Sequence, residues 1–252
     1  MTLKFYHDLM TQPSRALYMF FNAAGIPYEG TRVSLRRNEQ LKPEFAAVSP
    51  MKKIPVLVHE RSDGSKRLVV ESCAIARYAA TQFLPASSHW WPRDDVRKSL
   101  RVDEYLHWQH LNVRTNGTLV FLHSILNPLR FKQPPNMSQI HHFNIELGKN
   151  ADVMETHFLD GGKKFIAGDE ISIADLFALC ELTQPMCAGF DVTATRPRLS
   201  TWMKDVIHVT KSEFVAAHVE NDKFRERFQE SVQGAYRDFL SKDERNREIG
   251  KS

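Results

Sequence analysis

Lys53-Ile54-Pro55-Val56-Leu57, together with Val69-Val70-Glu71-Ser72, constrains the fold of this chain more than any other stretch. A proline that follows a polar turn and opens an apolar run removes one backbone donor and holds its predecessor extended, which suits a strand edge facing a ligand. A cis Ile54-Pro55 bond would be a deliberate placement. Helical spacing begins directly after Glu71-Ser72, with Ala74, Ile75, Tyr78 and Ala79. Ser72 is then the expected N-cap, beside free amides and a positive helix end that suit a carboxylate. The two pieces describe a docking edge for something anionic and peptide-like.

The 252 residues suffice for two modest domains, each with its own core. Lys plus Arg number 34 against 30 Asp plus Glu, an excess too thinly spread for a nucleic-acid footprint, so no nucleic-acid partner is expected. Cys73, Cys180 and Cys187 are odd in number and sit in apolar, helix-like surroundings, which fits a reducing, cytoplasmic compartment and no disulfide framework. His7, Asp8 and Gln12 interrupt any N-terminal apolar stretch, and no run approaches membrane-spanning length, so no membrane association is expected.

In chain order, Leu3-Lys4-Phe5-Tyr6 reads as a strand, and Pro13 opens a helix with Ala16, Leu17, Phe20, Phe21 and Ala24 on one face, stopped by Gly25. A second strand is expected over residues 27–33, a polar stretch over 34–42 and a short helix over 43–47. Two strands joined at Asp63-Gly64, a hairpin signal, precede the helix after Ser72. That order is thioredoxin-like. Pro85, Ser87, Ser88 and Pro92 break the pattern and mark a linker in which Trp90-Trp91 should pack the flanking domains together.

Everything after the linker reads as helix. Asp94-Asp95 opens a segment reaching about Leu126, with Leu100, Tyr105, Trp108, Leu119 and Leu122 as expected core positions and a kink at Asn116-Gly117. Pro128, Pro134 and Pro135 punctuate the next connection, and a helix after Asn136-Met137-Ser138 should end near Gly161-Gly162. Ser172-Ile173-Ala174-Asp175 has capping-box spacing. A further helix reaches His208 with Trp202 as its anchor. The last segment is dense in alternating charge with Phe214, Val215, Phe224, Phe228 and Val232 interleaved, and reads as a solvated amphipathic helix fraying over residues 242–252.

The K-[IV]-P-x-L segment and the Glu71-Ser72-Cys73-Ala74-Ile75 helix start, behind Thr11-Gln12-Pro13-Ser14-Arg15, resemble the cytosolic glutathione transferases. Lys52-Lys53-Ile54-Pro55 and Val102-Asp103-Glu104-Tyr105-Leu106-His107-Trp108-Gln109-His110 resemble their theta class, and the likeness spans about residues 3–208. It implies a thioredoxin-like α/β N-terminal domain (residues 1–83) that binds glutathione, a linker (84–92), an all-α C-terminal domain for the acceptor substrate (93–211) and a charged helical extension (212–252). It also implies a homodimer. The reaction implied is attack of the glutathione thiolate on a hydrophobic electrophile, with alkyl or aralkyl halides, epoxides and hydroperoxides as candidate classes and glutathione as co-substrate. The S-x-x-D motif serves folding in such transferases.

A free thiol has a pKa of roughly 8.5, so the protein must supply a donor that stabilises the thiolate. Thr11 lies between the first strand and the first helix, and one preorganised hydrogen bond to a developing anion is worth roughly 2.7–4 kcal/mol. The theta and delta classes carry serine there, whereas the β-branch of Thr11 restricts χ1. Ser14, three residues on, is a substitute donor, and a turn-stabilising cap is the non-catalytic role for Thr11. By resemblance, the Ile54 backbone before Pro55 pairs with the cysteinyl moiety, and Glu71 and Ser72 hold the γ-glutamyl amine and carboxylate. Lys53 and Gln40 face the glycine carboxylate, Gln40 standing where theta sequences often have histidine. Asp103 and Glu104 either approach the glutathione of a neighbouring subunit or form an ordinary helix-surface acid pair.

His107 and His110, and His141-His142, lack a third placed ligand, so no metal is expected. Reduction through an active cysteine is disfavoured because none lies near the first helix start. The rival reading is a catalytically weak or inactive binding or scaffold protein on the same fold. Threonine for serine, Gln40 and the charged tail favour that rival; Pro55, Glu71 and Ser72 favour the enzyme.

Overall fold

Strand β1 (Thr2–His7) buries Leu3 and Phe5 on one face and so seats itself at the centre of the sheet. A computed structural model describes residues 2–249, with side chains described for 2–243. Helix α1 (Gln12–Ala23) crosses from β1 to the parallel edge strand β2 (Glu29–Arg32), shorter than expected and exposed throughout. Gly25 ends α1 at φ +65, a conformation that costs a residue without a Cβ little. Two 3-10 turns, Leu35–Arg37 and Glu39–Leu41, and helix α2 (Pro43–Ala46) fill the stretch before β3 (Val56–Glu60). The Asp63-Gly64 hairpin leads to β4 (Lys66–Val69), with Gly64 at φ +80. The sheet order is β2-β1-β3-β4, with β3 antiparallel to both neighbours. Helix α3 (Ser72–Phe83) packs against the sheet.

The N-cap of α3 is Glu71, not Ser72, which is the first helical residue. The reversal from β4 into the helix falls on Glu71, at φ +67 and ψ 116, and no side chain caps the end.

Residues 84–95 connect α3 to α4 (Val96–Trp108), whose first amides are capped by the Asp95 carboxylate. Trp90 and Trp91 are buried there. Trp90 meets the Phe20 ring of α1 at 5.7 Å while its carbonyl accepts Ile173 N of the helical half at 3.1 Å, and Trp91 lies under the Arg77 guanidinium, so Trp90 does pack the two halves together. Leu100 is 64% exposed, contrary to expectation, because α4 turns Val102, Tyr105 and Leu106 inward at helical spacing and leaves Leu100 on the opposite side. Trp108, Leu119 and Leu122 are only partly buried.

The expected kink at Asn116-Gly117 lies elsewhere: a 3-10 turn, Gln109–Leu111, and Asn112 (φ −116, ψ −103) separate α4 from α5 (Val113–Phe121). Gly117 is regular helix. A Cβ there would lie 3.2 Å from the Glu181 carbonyl oxygen and 3.6 Å from Pro185 Cδ, so the glycine permits close approach of the later helix that carries Glu181 and Pro185. Gly117→Ala is expected to cost about 1–3 kcal/mol by crowding, despite the better helix propensity of alanine, as measured by urea denaturation.

A π-helical turn (Leu122–Leu126) leads to α6 (Asn127–Phe131), and α7 (Met137–Val153) runs into a second such turn (Met154–Phe158) before Gly161-Gly162, both at φ +73. Helix α8 (Ile173–Met186) is the buried axle of the helical half. The Asp175 carboxylate accepts hydrogen bonds from Ser172 N, Ser172 Oγ, Ile166 N and Trp202 Nε1, the last on α9 (Pro197–Val209). The capping-box reading and Trp202 as anchor therefore meet at one buried carboxylate.

Helix α10 (Lys211–Ile249) is less solvated than its charge suggests and stays helical where fraying was expected; residues 250–252 of that tail lie outside the described residues. It packs on α1, α7 and α9 and buries Ala217, His218, Asn221 and Val232. His218 Nδ1 lies 2.9 Å from the Phe214 carbonyl and Nε2 3.1 Å from the Thr183 hydroxyl, and burial pushes its pKa well below 6.5. In the unfolded chain this imidazole protonates near pH 6.5. Below that pH the unfolded state binds the extra proton and the folded state does not, so stability falls as pH falls. Between pH 7 and 5.5 a loss of about 1 kcal/mol from this residue is expected, read as a flatter stability-versus-pH slope in His218→Gln.

Candidate active site

The sheet topology gathers the sequence-predicted residues. Tyr6 pairs with Val56 and Leu57 with Val69, so the C-terminal ends of β1 and β4 flank the N-terminal end of β3. Thr11, the Ile54-Pro55 step and Glu71-Ser72 therefore share one end of the sheet. The Ile54-Pro55 bond is cis, and Ile54 lies beyond the last β1–β3 pair, next to buried Pro55. Ser49 Oγ bonds the Lys53 carbonyl at 3.1 Å and shapes the preceding turn, leaving the Lys53 side chain exposed.

Thr11 occupies the N-cap position of α1, but its hydroxyl makes no capping bond. Thr11 Oγ1 lies 3.0 Å from the Asp8 carbonyl and 2.8 Å from Ser14 Oγ. Thr11 is partly exposed and Ser14 fully buried. The two candidate donors are thus one hydrogen-bonded pair.

Two residues that hold this loop were not singled out from sequence. Buried Asp8 accepts Met10 N at 3.1 Å and Leu35 N at 3.0 Å, so it ties the β1–α1 loop to the segment carrying Gln40. The Asx spacing of Asp8 and Met10 is the local signal for it. Fully buried Arg15 donates from Nη1 to Leu9 O, Met10 O and Asn221 Oδ1, and from Nη2 to Cys180 O and Gln184 Oε1. The loop before Thr11 is thereby fastened to α8 and α10. In the sequence Arg15 shows only as the last residue of Thr11-Gln12-Pro13-Ser14-Arg15, with no sign of what it binds.

Gln40 Oε1 is buried and has no hydrogen-bond partner, so that amide is free to meet a donor. Glu71 is exposed at its left-handed turn and Ser72 is buried at the first position of α3. Asp103 and Glu104 part company. Asp103 faces α3, with Oδ1 3.6 Å from Arg77, whereas Glu104 is held by Arg101 at 2.7 Å and His157 at 2.8 Å.

The thiols are quiet. Burial pushes Cys73 and Cys180 up to about 12 and Cys187 up to about 11, although Cys73 Sγ lies 3.5 Å from His110 Nε2. Among the described residues no group of three or more His, Cys, Asp or Glu is placed to hold a metal, and no helix is long and apolar enough to cross a membrane. His107 Nδ1 instead meets the Asp103 carbonyl, and His141 Nδ1 meets the Tyr236 hydroxyl.

The glutathione S-transferase N-terminal domain model matches residues 14–82, and the C-terminal domain model matches residues 144–209. Glutathione S-transferase theta-1 of Bos taurus is 37% identical over 206 residues, covering 82% of each chain. Theta-1 of Rattus norvegicus is 37% identical over 219 residues, 86% of this chain and 88% of the relative. The apo structure of human glutathione-S-transferase T1-1 superposes with a TM-score of 0.79 at 31% identity, covering 93% of this chain and 99% of that one. Human theta-2 in complex with glutathione gives a TM-score of 0.81 at 29% identity, covering 91% of each. With both domain models matched in order and theta-class likeness running through both halves, this chain belongs to the glutathione S-transferase family and is a glutathione transferase of theta-class type.

Proposed function

We propose that glutathione lies across this end of the sheet and that Thr11 Oγ1 donates a hydrogen bond to its sulfur. The observation that carries this reading is the Thr11 hydroxyl at the N-terminal end of α1, partly exposed and backed by buried Ser14. The positive helix end and the hydroxyl both favour the thiolate over the thiol. The Ile54 backbone pairs with the cysteinyl unit, Glu71 takes the γ-glutamyl amine, and Ser72 with the start of α3 takes its carboxylate. Lys53 and the side-chain NH2 of Gln40 take the glycine carboxylate.

The thiolate then attacks a soft electrophilic carbon, forming the S–C bond as halide departs or an epoxide opens; hydroperoxides are further candidates. An aralkyl acceptor is supported by a similar human theta-class transferase, solved in complex with the glutathione conjugate of 1-menaphthyl sulfate. The enzyme works in the cytoplasm as a homodimer, with Asp103 the acid nearer the glutathione of the partner subunit, since Glu104 is held by Arg101 and His157.

The test is a spectroscopic titration of the glutathione thiol on the protein, beside conjugation of an aralkyl halide. A bound thiol titrating clearly below roughly 8.5, with conjugate formed, supports the reading. Bound glutathione with an unshifted thiol replaces it with the binding-protein reading.

A further inference from the structure

The hydroxyl hydrogens near Thr11 do not suffice unless Ser14 supplies one. Thr11 Oγ1 has a single hydrogen and two contacts, the Asp8 carbonyl at 3.0 Å and Ser14 Oγ at 2.8 Å. The carbonyl only accepts. Both bonds form together only when Thr11 donates to Asp8 and Ser14 donates to Thr11. Ser14 is fully buried on the first turn of α1, where a hydroxyl must place its hydrogen on a partner, and Thr11 Oγ1 is the partner in reach.

The arrangement fits a sulfur that arrives later. The Asp8 carbonyl also accepts the Thr11 backbone N–H at 3.0 Å, so it keeps a donor when the hydroxyl turns away. Rotation of the Thr11 hydrogen from Asp8 to the sulfur therefore leaves no buried acceptor orphaned. Pro13 has no N–H and adds no donor at this helix end.

We propose that Ser14 is a positioning residue for thiol activation: it donates to Thr11 Oγ1, fixes the direction of the hydroxyl chain Ser14→Thr11→sulfur, and polarises the hydrogen that Thr11 gives. This rests on Thr11 as the donor to sulfur. The two hydroxyls act in series and not as substitutes. Polarisation strengthens a hydrogen bond by about 10–30%, and a well-placed donor to an anion changes rates by about 10²–10³-fold. Loss of the Ser14 hydroxyl is therefore expected to weaken thiolate formation about 1.6- to eight-fold, a rise of about 0.2–0.9 in the bound-thiol pKa.

The experiment titrates bound glutathione on the full chain, as wild type, Ser14→Ala, Ser14→Cys, Thr11→Ala and the double alanine variant. In series, Ser14→Ala raises the bound-thiol pKa partway and lowers kcat/KM below that pKa by a matching factor, with the KM for glutathione little changed. Ser14→Cys, nearly isosteric and a weak donor, falls between Ser14→Ala and wild type. The double variant matches Thr11→Ala, because Ser14 has nothing left to polarise. A bound-thiol pKa in Ser14→Ala equal to wild type overturns the proposal and leaves Ser14 a packing residue. A shift that survives Thr11→Ala but vanishes in Ser14→Ala overturns it by making Ser14 the direct donor. An unshifted thiol on the wild-type protein removes the activation reading itself and the relay with it.

Discussion

Replacing Thr11 by alanine is expected to return the thiol of bound glutathione toward roughly 8.5 and to lower kcat/KM by about 10²–10³-fold at neutral pH. Glutathione affinity should change little, because the contacts assigned to its charged ends lie at Glu71, Ser72, Gln40 and Lys53 and not at Thr11. Thr11→Ser should keep most of the activity, since the hydroxyl stays and only the β-methyl is lost. The pH–rate profile separates this from simple damage: its rising limb should move to higher pH in Thr11→Ala, and the plateau at alkaline pH should recover much of the rate. Wild-type activity in Thr11→Ala would remove the hydroxyl from the mechanism.

The second large effect concerns stability. Asp175 is buried and accepts four hydrogen bonds, at 2.8–2.9 Å, from Ile166 N, Ser172 N, Ser172 Oγ and Trp202 Nε1. Asp175→Ala leaves those donors facing no acceptor, and each buried orphan costs about 1–3 kcal/mol. Partial relaxation makes about 3–5 kcal/mol the expected total, or roughly 10 °C in Tm for a chain of this size. Asp175→Asn should be milder, since one oxygen still serves Ile166 and Trp202 and the new NH2 can donate to the Ser172 hydroxyl, leaving only the Ser172 N–H without its acceptor. Differential scanning calorimetry orders the three proteins, and an unchanged Tm in Asp175→Ala would remove this carboxylate from the list of structural anchors.

The parts of the fold legible in the sequence were those where one residue type satisfies a local backbone demand. Pro55 opens the strand edge, Gly25 and Asp63-Gly64 end elements, and Ser172 with Asp175 starts α8. What depends on neighbours distant in sequence was not legible. Leu100 and Val102 are similar in hydropathy, and only the placement of α4 decides that Val102 is inside. Gly117 looked like a weak point because glycine disfavours helix, yet its role is set by the Glu181 carbonyl on α8. Ser72 and Glu71 differ by one position, and the direction of the reversal after β4 decided between them. At the site, the type of chemistry was visible in Thr11 and Ser14, but not the 2.8 Å bond that couples them. The loop-holding roles of Asp8 and Arg15 were not legible because their distant partners, Leu35, Cys180, Gln184 and Asn221, lie 27 to 206 residues away.

Arg15 has a bearing on biosynthesis. Three of its acceptors, Cys180 O, Gln184 Oε1 and Asn221 Oδ1, leave the ribosome long after the loop they help to fix. At about 5–20 residues per second, the interval between Arg15 and Asn221 is on the order of 10–40 s. During that time the guanidinium on the inner face of the first helix can reach the loop carbonyls of Leu9 and Met10, but its Nη2 acceptors are still unmade. Asp8 and the near bonds of Arg15 hold the loop bearing Thr11 early, but its fastening is complete only once α10 has emerged, so a truncated translation product has the sheet and lacks the last tie of the active-site loop.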